Sequence, residues 1–259
     1  MPELPDLQVF SRNLEKQLGG KRLKKLKVVN PKKLKTPAAK LSKILQGQVL
    51  QKVYRSGKQL FFEFSKGDTL GMHMMLKGNL YLFQQDHDRK HPIIEMHFDD
   101  GVGLVLTDFQ GMAHVTLNPE PAPAPDALSP EVNYSFLKKV LSKRHTEVKK
   151  LLMDQKIIRG IGNAYADEIL WVARISPLSI SDKVPDQAIK ALAKAIKSVL
   201  KQGEKQILKA DPDRITGELR DFLVVHNPKR KTSPGGADIR TTTMISRKTY
   251  YTDEQEFYF

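Results

Sequence analysis

Near residue 118 the chain changes period, and that change narrows the folds open to it more than any other feature. Up to that point short apolar runs alternate with polar residues: QVLQKVYRSG, KQLFFEFSKGD, HMMLKGNLYLF, IIEMHFDDG and VGLVLTDF, each bounded by Gly, Asp or Ser. A period of two sends successive side chains to opposite faces of a strand, and strands at this spacing form a sandwich or a barrel-like pair of sheets. From Val132 to about Leu208 the period is helical, in FLKKVLSK, HTEVKKLLMDQ, AYADEILWVARI and DQAIKALAKAIKSVLKQ. NPEPAPAPDALSPE (118–131) separates the two regimes and reads as a semi-rigid proline-rich linker. A helix is expected at the start, over Pro5 to Leu18, with apolar Leu7, Val9, Phe10, Leu14 and Leu18 and a stop at Gly19-Gly20. The last 35 or so residues become extended again, with RTTTMI and KTYYTDEQEFYF flanking Ser246-Arg247 as a hairpin with a tight turn. Strands first and helices second predict an α+β protein of two domains, a number that 259 residues allow.

Charge says what such a chain meets. Lys and Arg number 43 against 29 Asp and Glu, a net +14, and the pI is near 9.7. An excess of this size points to a polyanion, and nucleic acid comes before an anionic membrane because no amphipathic anchor accompanies it. No apolar run approaches the roughly 18–20 residues of a membrane span. Charges recur from Glu3 through Lys16, so no signal-peptide core is read there. The absence of cysteine excludes disulfides, thiol chemistry and cysteine-ligated zinc, and a cytoplasmic or nucleoid location is the expectation.

Two stretches carry chemistry. In LLMDQKIIRGIGNAYADEILWVARISP (151–177) a helix runs into Gly160-Ile161-Gly162 and another begins after Asn163. Two glycines one residue apart permit a sharp turn and close backbone approach, and a helix start with Asn163 as its cap presents amides to a phosphate. An ordinary helix–turn–helix connection would read the same way. The second stretch is MPELPD at the start. Methionine before proline is normally trimmed, which would leave Pro2 as a secondary amine; α-amino groups titrate near neutrality, at roughly pKa 7.7–8.0, and can act as nucleophiles. Taken alone, the stretch is read first as Pro2 and Pro5 stiffening an N-terminal arm.

Together, MPELPD, the lysine of SGKQLFFEF and IRGIGNAYADEIL resemble the Fpg/Nei family of bifunctional DNA glycosylases, over nearly the whole chain and in the same order. The resemblance implies an N-terminal catalytic β-sandwich domain (1–117), the linker (118–131), a helical domain with a helix–two-turns–helix motif (132–224) and a hairpin finger (225–259). It implies a monomer acting on double-stranded DNA with damaged bases or abasic sites. Pro2 would attack C1′ of the damaged nucleotide to form an iminium, Glu3 would be the general acid, and Lys58 would assist catalysis. Lys58, His73, Asn163 and Arg247 match the positions that grip phosphates around the everted nucleotide. Glu168 is read as structural. Other readings of the same scaffold are a non-catalytic binder of damaged DNA and an RNA-binding or ribosome-associated protein.

Departures from the family pattern bear on metal and substrate. The third and fourth zinc cysteines of the finger fall on Thr252 and Gln255, and SPGG (233–236) replaces the first pair, so a zincless finger with no metal or other cofactor is expected, held by strand pairing and by Met244, Tyr250, Tyr251 and Phe257. The residues that refill the gap left by the flipped base correspond to Leu76, Gln110 and Met112, and the arginine that reads the orphaned base is missing. The loop covering an everted oxidised purine looks short, between Ile215 and Val225.

Overall fold

The computed structural model describes residues 1–34 and 36–259, with only the backbone of Lys33. The described chain forms two compact units, residues 1–121 with 207–218 and residues 122–206 with 219–259.

In the first unit, α1 (Leu4–Leu18) starts with Pro5 in its first turn, where the missing N–H costs nothing, and a capping box links Glu3 and Asp6. Its apolar stripe, Leu4, Leu7, Phe10, Leu14 and Leu18, is fully buried. Two antiparallel four-stranded sheets follow. One has the order β1 (Leu23–Val28), β6 (Pro92–Phe98), β7 (Val102–Thr107), β5 (Asn79–Gln84), and the other β2 (Leu50–Ser56), β3 (Gln59–Phe64), β4 (Thr69–His73), β8 (His114–Leu117). The alternation in β3 has the expected result, with Leu60, Phe62 and Phe64 buried and their neighbours half-exposed.

Sequence periodicity missed β1, and it missed α2 (Ala38–Leu45), which packs along it. Both are short and lysine-rich, burying only Leu23 and Leu26 in one and Leu41 and Leu45 in the other. It also ran HMMLKGNLYLF together as one segment, which the structure divides between two sheets. β4 ends at His73, Met75 turns with φ 51°, and β5 begins at Asn79. Gly78 makes this turn possible, since a Cβ there would lie 2.2 Å from the Met74 carbonyl oxygen. Residues 207–218 return to this unit: Asn13 Nδ2 donates to the carbonyls of Pro212 and Arg214, each at 2.8 Å.

The second unit holds α3 (Tyr134–Leu141), α4 (Val148–Met153), α5 (Asn163–Val172), most of α6 (Asp186–Ala210) and the hairpin β9 (Arg240–Met244) and β10 (Arg247–Tyr251). The proline-rich stretch is docked here: the Ala127 amide donates to the Arg159 carbonyl at 2.9 Å, and Lys197 Nζ to the Ala127 carbonyl at 2.6 Å. The hairpin turn is Ile245-Ser246, with φ 50° and 56°, one residue earlier than the sequence suggested, so Arg247 opens β10 opposite Met244. Two positive φ values match the twist of the flanking strands, a geometry normally reserved for Asn and Gly.

At the base of the hairpin, polar residues stand where the family pattern has zinc ligands. The Thr252 amide donates to Gln255 Oε1 at 2.9 Å, and Gln255 Nε2 to the Ile175 carbonyl at 2.8 Å. Hydrogen bonds from Ser233 and Trp171, then Arg174 and Thr252, hold the Glu254 carboxyl at a pKa of about 2 despite the opposing cost of desolvation. Met244 and Tyr250 are buried as expected, whereas Phe257 is 50% exposed and belongs to no core. Polar contacts at the hairpin base thus supplement the apolar packing expected from sequence.

Candidate active site

The first unit carries Pro2, Glu3, Lys58 and His73. Pro2 and Glu3 are buried at the head of α1, where the Glu3 amide donates to Asp6 Oδ2 at 2.8 Å. The Met1 ammonium pairs with the Glu218 carboxylate, a residue that sequence reasoning did not single out. Lys58 is 9% exposed and sits in the turn between β2 and β3, where Gly57 has φ 59°. Arg55 ties this turn to α1: its Nε donates to Gln8 Oε1 at 3.0 Å and its Nη1 to the Gly57 carbonyl at 3.2 Å. Arg55 therefore ties the lysine turn to Gln8 of α1, the helix that Glu3 caps.

His73 ends β4 and pairs across the sheet with His114, their rings stacked with centroids 5.5 Å apart and 8° between planes. The Met75 amide donates to His73 Nδ1 at 3.0 Å, which leaves Nε2 to carry the proton. Burial, then the neighbouring His114 and Lys58, lowers the His73 pKa to about 4. At neutral pH His73 is thus an uncharged donor. As pH falls, the unfolded chain takes up the proton first, so stability present above pH 6.5 is lost as pH drops through about 4. We expect His73→Gln to flatten this acid limb, read as the difference in Tm between neutral and mildly acid buffer. An unchanged limb would place the titration elsewhere.

The gap-filling candidates occupy two loops of the same unit. Leu76 is 56% exposed and Met112 40%. Gln110 is exposed on a loop pinned by buried Asp108, whose carboxylate accepts from the amides of Gln110 at 2.9 Å and of Met112 and Ala113 at 2.8 Å. The pinned loop also displays Phe109, 64% exposed, which sequence reasoning passed over. Phe109 and Met112 together give this loop an exposed apolar side, and the aromatic beside Gln110 in TDFQGMAH is the signal that could have found it.

The second unit carries Asn163 and Arg247. α4 ends at Met153, earlier than the sequence suggested, and residues 154–162 form the turns that lead to α5. Gln155 braces them, accepting from the Gly160 amide at 2.9 Å and donating to the Ile161 carbonyl at 2.8 Å, while Gly160 takes φ 107°, which favours glycine. Asn163 does not cap α5. Gly162 holds the cap position, and Asn163 Nδ2 donates to the Lys248 carbonyl at 2.9 Å. That bond draws Asn163 to the strand that Arg247 opens, and leaves Asn163 Oδ1 buried with no partner among the described residues.

Below them lies a buried ionic cluster. Lys149 Nζ is 2.7 Å from Asp167 Oδ1 and donates to Thr249 Oγ1 at 2.6 Å. Asp167 Oδ2 accepts from the Tyr250 amide at 3.1 Å and lies 2.7 Å from His226 Nδ1. Glu168 accepts the amides of Val224, Val225 and His226 at 2.8–2.9 Å, a scaffold role. Its pKa is raised by burial, against those three hydrogen bonds.

Comparison with known proteins gives matches to two family models, the formamidopyrimidine-DNA glycosylase N-terminal domain over residues 1–115 and its H2TH domain over residues 124–210. A formamidopyrimidine-DNA glycosylase of Pelotomaculum thermopropionicum is 31% identical over 97% of both chains, and one of Desulforamulus reducens is 30% identical at the same coverage. Among solved structures, the Lactococcus lactis Fpg with DNA containing an abasic site has a TM-score of 0.88 at 25% identity, covering 98% of this chain and 100% of that one. The same protein with DNA containing an oxidised pyrimidine has a TM-score of 0.89, also at 25% identity and the same coverage.

Proposed function

The chain belongs to the formamidopyrimidine-DNA glycosylase family, and on that premise we propose how its residues divide the work. It is a base excision repair DNA glycosylase with lyase activity on abasic sites. With Met1 removed, the Pro2 amine attacks C1′ of the damaged nucleotide as the base leaves with a proton. The C1′–O4′ bond then breaks, O4′ taking a proton, and the iminium so formed withdraws electrons, so the C2′ proton becomes acidic and the 3′ and then the 5′ phosphate are eliminated. Glu3 supplies and recovers protons beside the amine. C1′ lies inside a duplex, so the nucleotide is everted first.

Lys58, neutral His73, Asn163 and Arg247 grip the phosphates in this reading, and Lys58 also serves catalysis. Leu76, Met112 and the exposed Phe109 fill the vacated stack as apolar wedges, with Gln110 facing the orphaned base. The domain division at 117, 131 and 224 and a cytoplasmic, nucleoid-associated monomer belong to the same proposal. Among the described residues no helix is long and apolar enough to cross a membrane. The observation that supports this assignment of roles is the buried Pro2–Glu3 pair at the head of α1, together with a lysine turn that Arg55 ties to Gln8 of the same helix.

Substrate choice is testable. Gln110 is neutral and both donates and accepts, so it discriminates weakly among opposite bases. Ring-saturated pyrimidines and ring-opened purines stack poorly and are easier to evert. Single-turnover rates on a matched oligonucleotide panel should rank thymine glycol, dihydrouracil, hydantoin, formamidopyrimidine and abasic sites above 8-oxoguanine opposite cytosine. Fastest cutting of 8-oxoguanine opposite cytosine, with steep loss opposite other bases, would overturn the reading of Gln110.

A further inference from the structure

The positive charge of this protein is concentrated in one segment. Residues 16–62 hold 14 Lys and Arg and no Asp or Glu, leaving 29 basic residues elsewhere against all 29 acidic ones. The whole net charge of +14 therefore resides in fewer than a fifth of the residues. Apart from Lys58 and its neighbours, most of it falls on β1, α2 and the link between them.

There the fold arranges lysines along a line. α2 runs antiparallel to β1: Gly47 N donates to the Leu23 carbonyl at 2.8 Å, Gln46 Nε2 to the Lys24 carbonyl at 3.2 Å and Ser42 Oγ to the Leu26 carbonyl at 3.0 Å. Leu41 and Leu45 face inward, so Lys40 and Lys43, three residues apart on the helix, face solvent together. Lys24 and Lys25 are both exposed at a bulge in β1. At the far end of β1, Asn30 and exposed Lys32 line the same hollow as Asp108, Phe109, Gln110 and Met112, the loop of the gap-filling candidates. The stripe thus starts beside the lesion-facing loop and continues away from it.

Acidic neighbours are already taken. Glu95 lies 3.0 Å from Lys27, Asp100 pairs with Lys21, and Asp99 accepts the Arg22 amide at 3.4 Å. Lys24, Lys25, Lys32, Lys40 and Lys43 have no ion-pair partner among the described residues. Holding five such cations together costs self-repulsion, which a polyanion relieves.

We propose that Lys32, Lys40, Lys43, Lys24 and Lys25 form a second DNA contact, a sequence-independent phosphate track for the duplex arm beyond the lesion. A six-residue strand is about 20 Å long, the axial length of about six base pairs. The track holds the enzyme on intact duplex and orients it, while the lesion site does the chemistry. DNA as the polyanion rests on the glycosylase reading.

The test compares wild type with K24A/K25A/K40A/K43A on a short duplex of about 13 base pairs and a long one of about 35, each with a central abasic analogue. For wild type, lengthening the duplex should tighten binding and steepen the slope of log K against log salt by about 0.9 for each added phosphate contact, up to about four. The variant should lose that gain, with its long-duplex affinity down at least about tenfold at moderate salt, while cutting short abasic duplex at the wild-type single-turnover rate. The matching Lys→Arg set should restore the length dependence, which separates charge from any effect on folding. A variant with the wild-type slope and affinity on long duplex would overturn the track. Length-dependent binding without borohydride cross-linking in either protein would keep the track and remove the glycosylase chemistry.

Discussion

Blocking the Pro2 amine should abolish both covalent trapping and strand cleavage. A protein whose first residue is Pro2, incubated with abasic duplex and borohydride, should yield a reduced cross-link. The same chain with an uncleavable N-terminal extension should yield none. The reason is valence. As the first residue, Pro2 offers a secondary amine with a lone pair; inside the chain that nitrogen is an amide with its lone pair delocalised and no N–H. The iminium route then closes altogether, so the loss spans the whole measurable range instead of a few-fold. Removing Met1 also removes the ammonium that pairs with Glu218. Undiminished trapping by the extended chain would move the nucleophile to another amine, and buried Lys58 would be examined next.

The second large effect is expected at Lys149 and Asp167. Both side chains are essentially out of water, at 1% and 0% exposure. Asp167 also receives the Tyr250 amide, lies within hydrogen-bond distance of His226, and belongs to the helix that starts at Asn163. Lys149→Ala leaves a buried carboxylate without its cation, a loss of about 3–5 kcal/mol. Urea unfolding should show this as a lower midpoint with little change in slope. A cost below about 1 kcal/mol would mean that the pair is not buried as described. Replacing both by apolar residues, Lys149→Met with Asp167→Leu, should recover much of the stability, because the desolvation penalty disappears with the charges. It should not recover cleavage, because the contacts to Tyr250, Thr249 and His226 that set β10 against α5 go with the carboxylate and ammonium. Full activity in the stable double variant would show that the cluster only stabilises.

Much of the candidate site was legible through the resemblance to the family, which rests on residue types and their order along the chain. Pro2 is the one residue that can offer a cyclic secondary amine, and the paired glycines before Asn163 mark a turn wherever they fall. The supporting residues were less legible. Arg55, Gln155 and Lys149 sit in a chain rich in cations and amides, and nothing in their local sequence distinguishes them from solvated neighbours. Their roles come from partners 47, 5 and 100 positions away: Gln8, Gly160 and Thr249. Asn163 shows the same limit at short range, since an asparagine before a helix reads as a cap until a strand from the hairpin takes its amide.

The candidate site residues came from the resemblance to the family, whereas periodicity sufficed for the α+β class and the order of strands before helices. They depend only on which side chains lie two or three to four positions apart. The assignment of β4 and β5 to different sheets, the pinned loop that displays Phe109, the polar base of the hairpin and the lysine line along β1 and α2 were decided by tertiary structure. Each depends on which distant groups share a low-dielectric interior or an exposed face, a relation that sequence spacing does not encode.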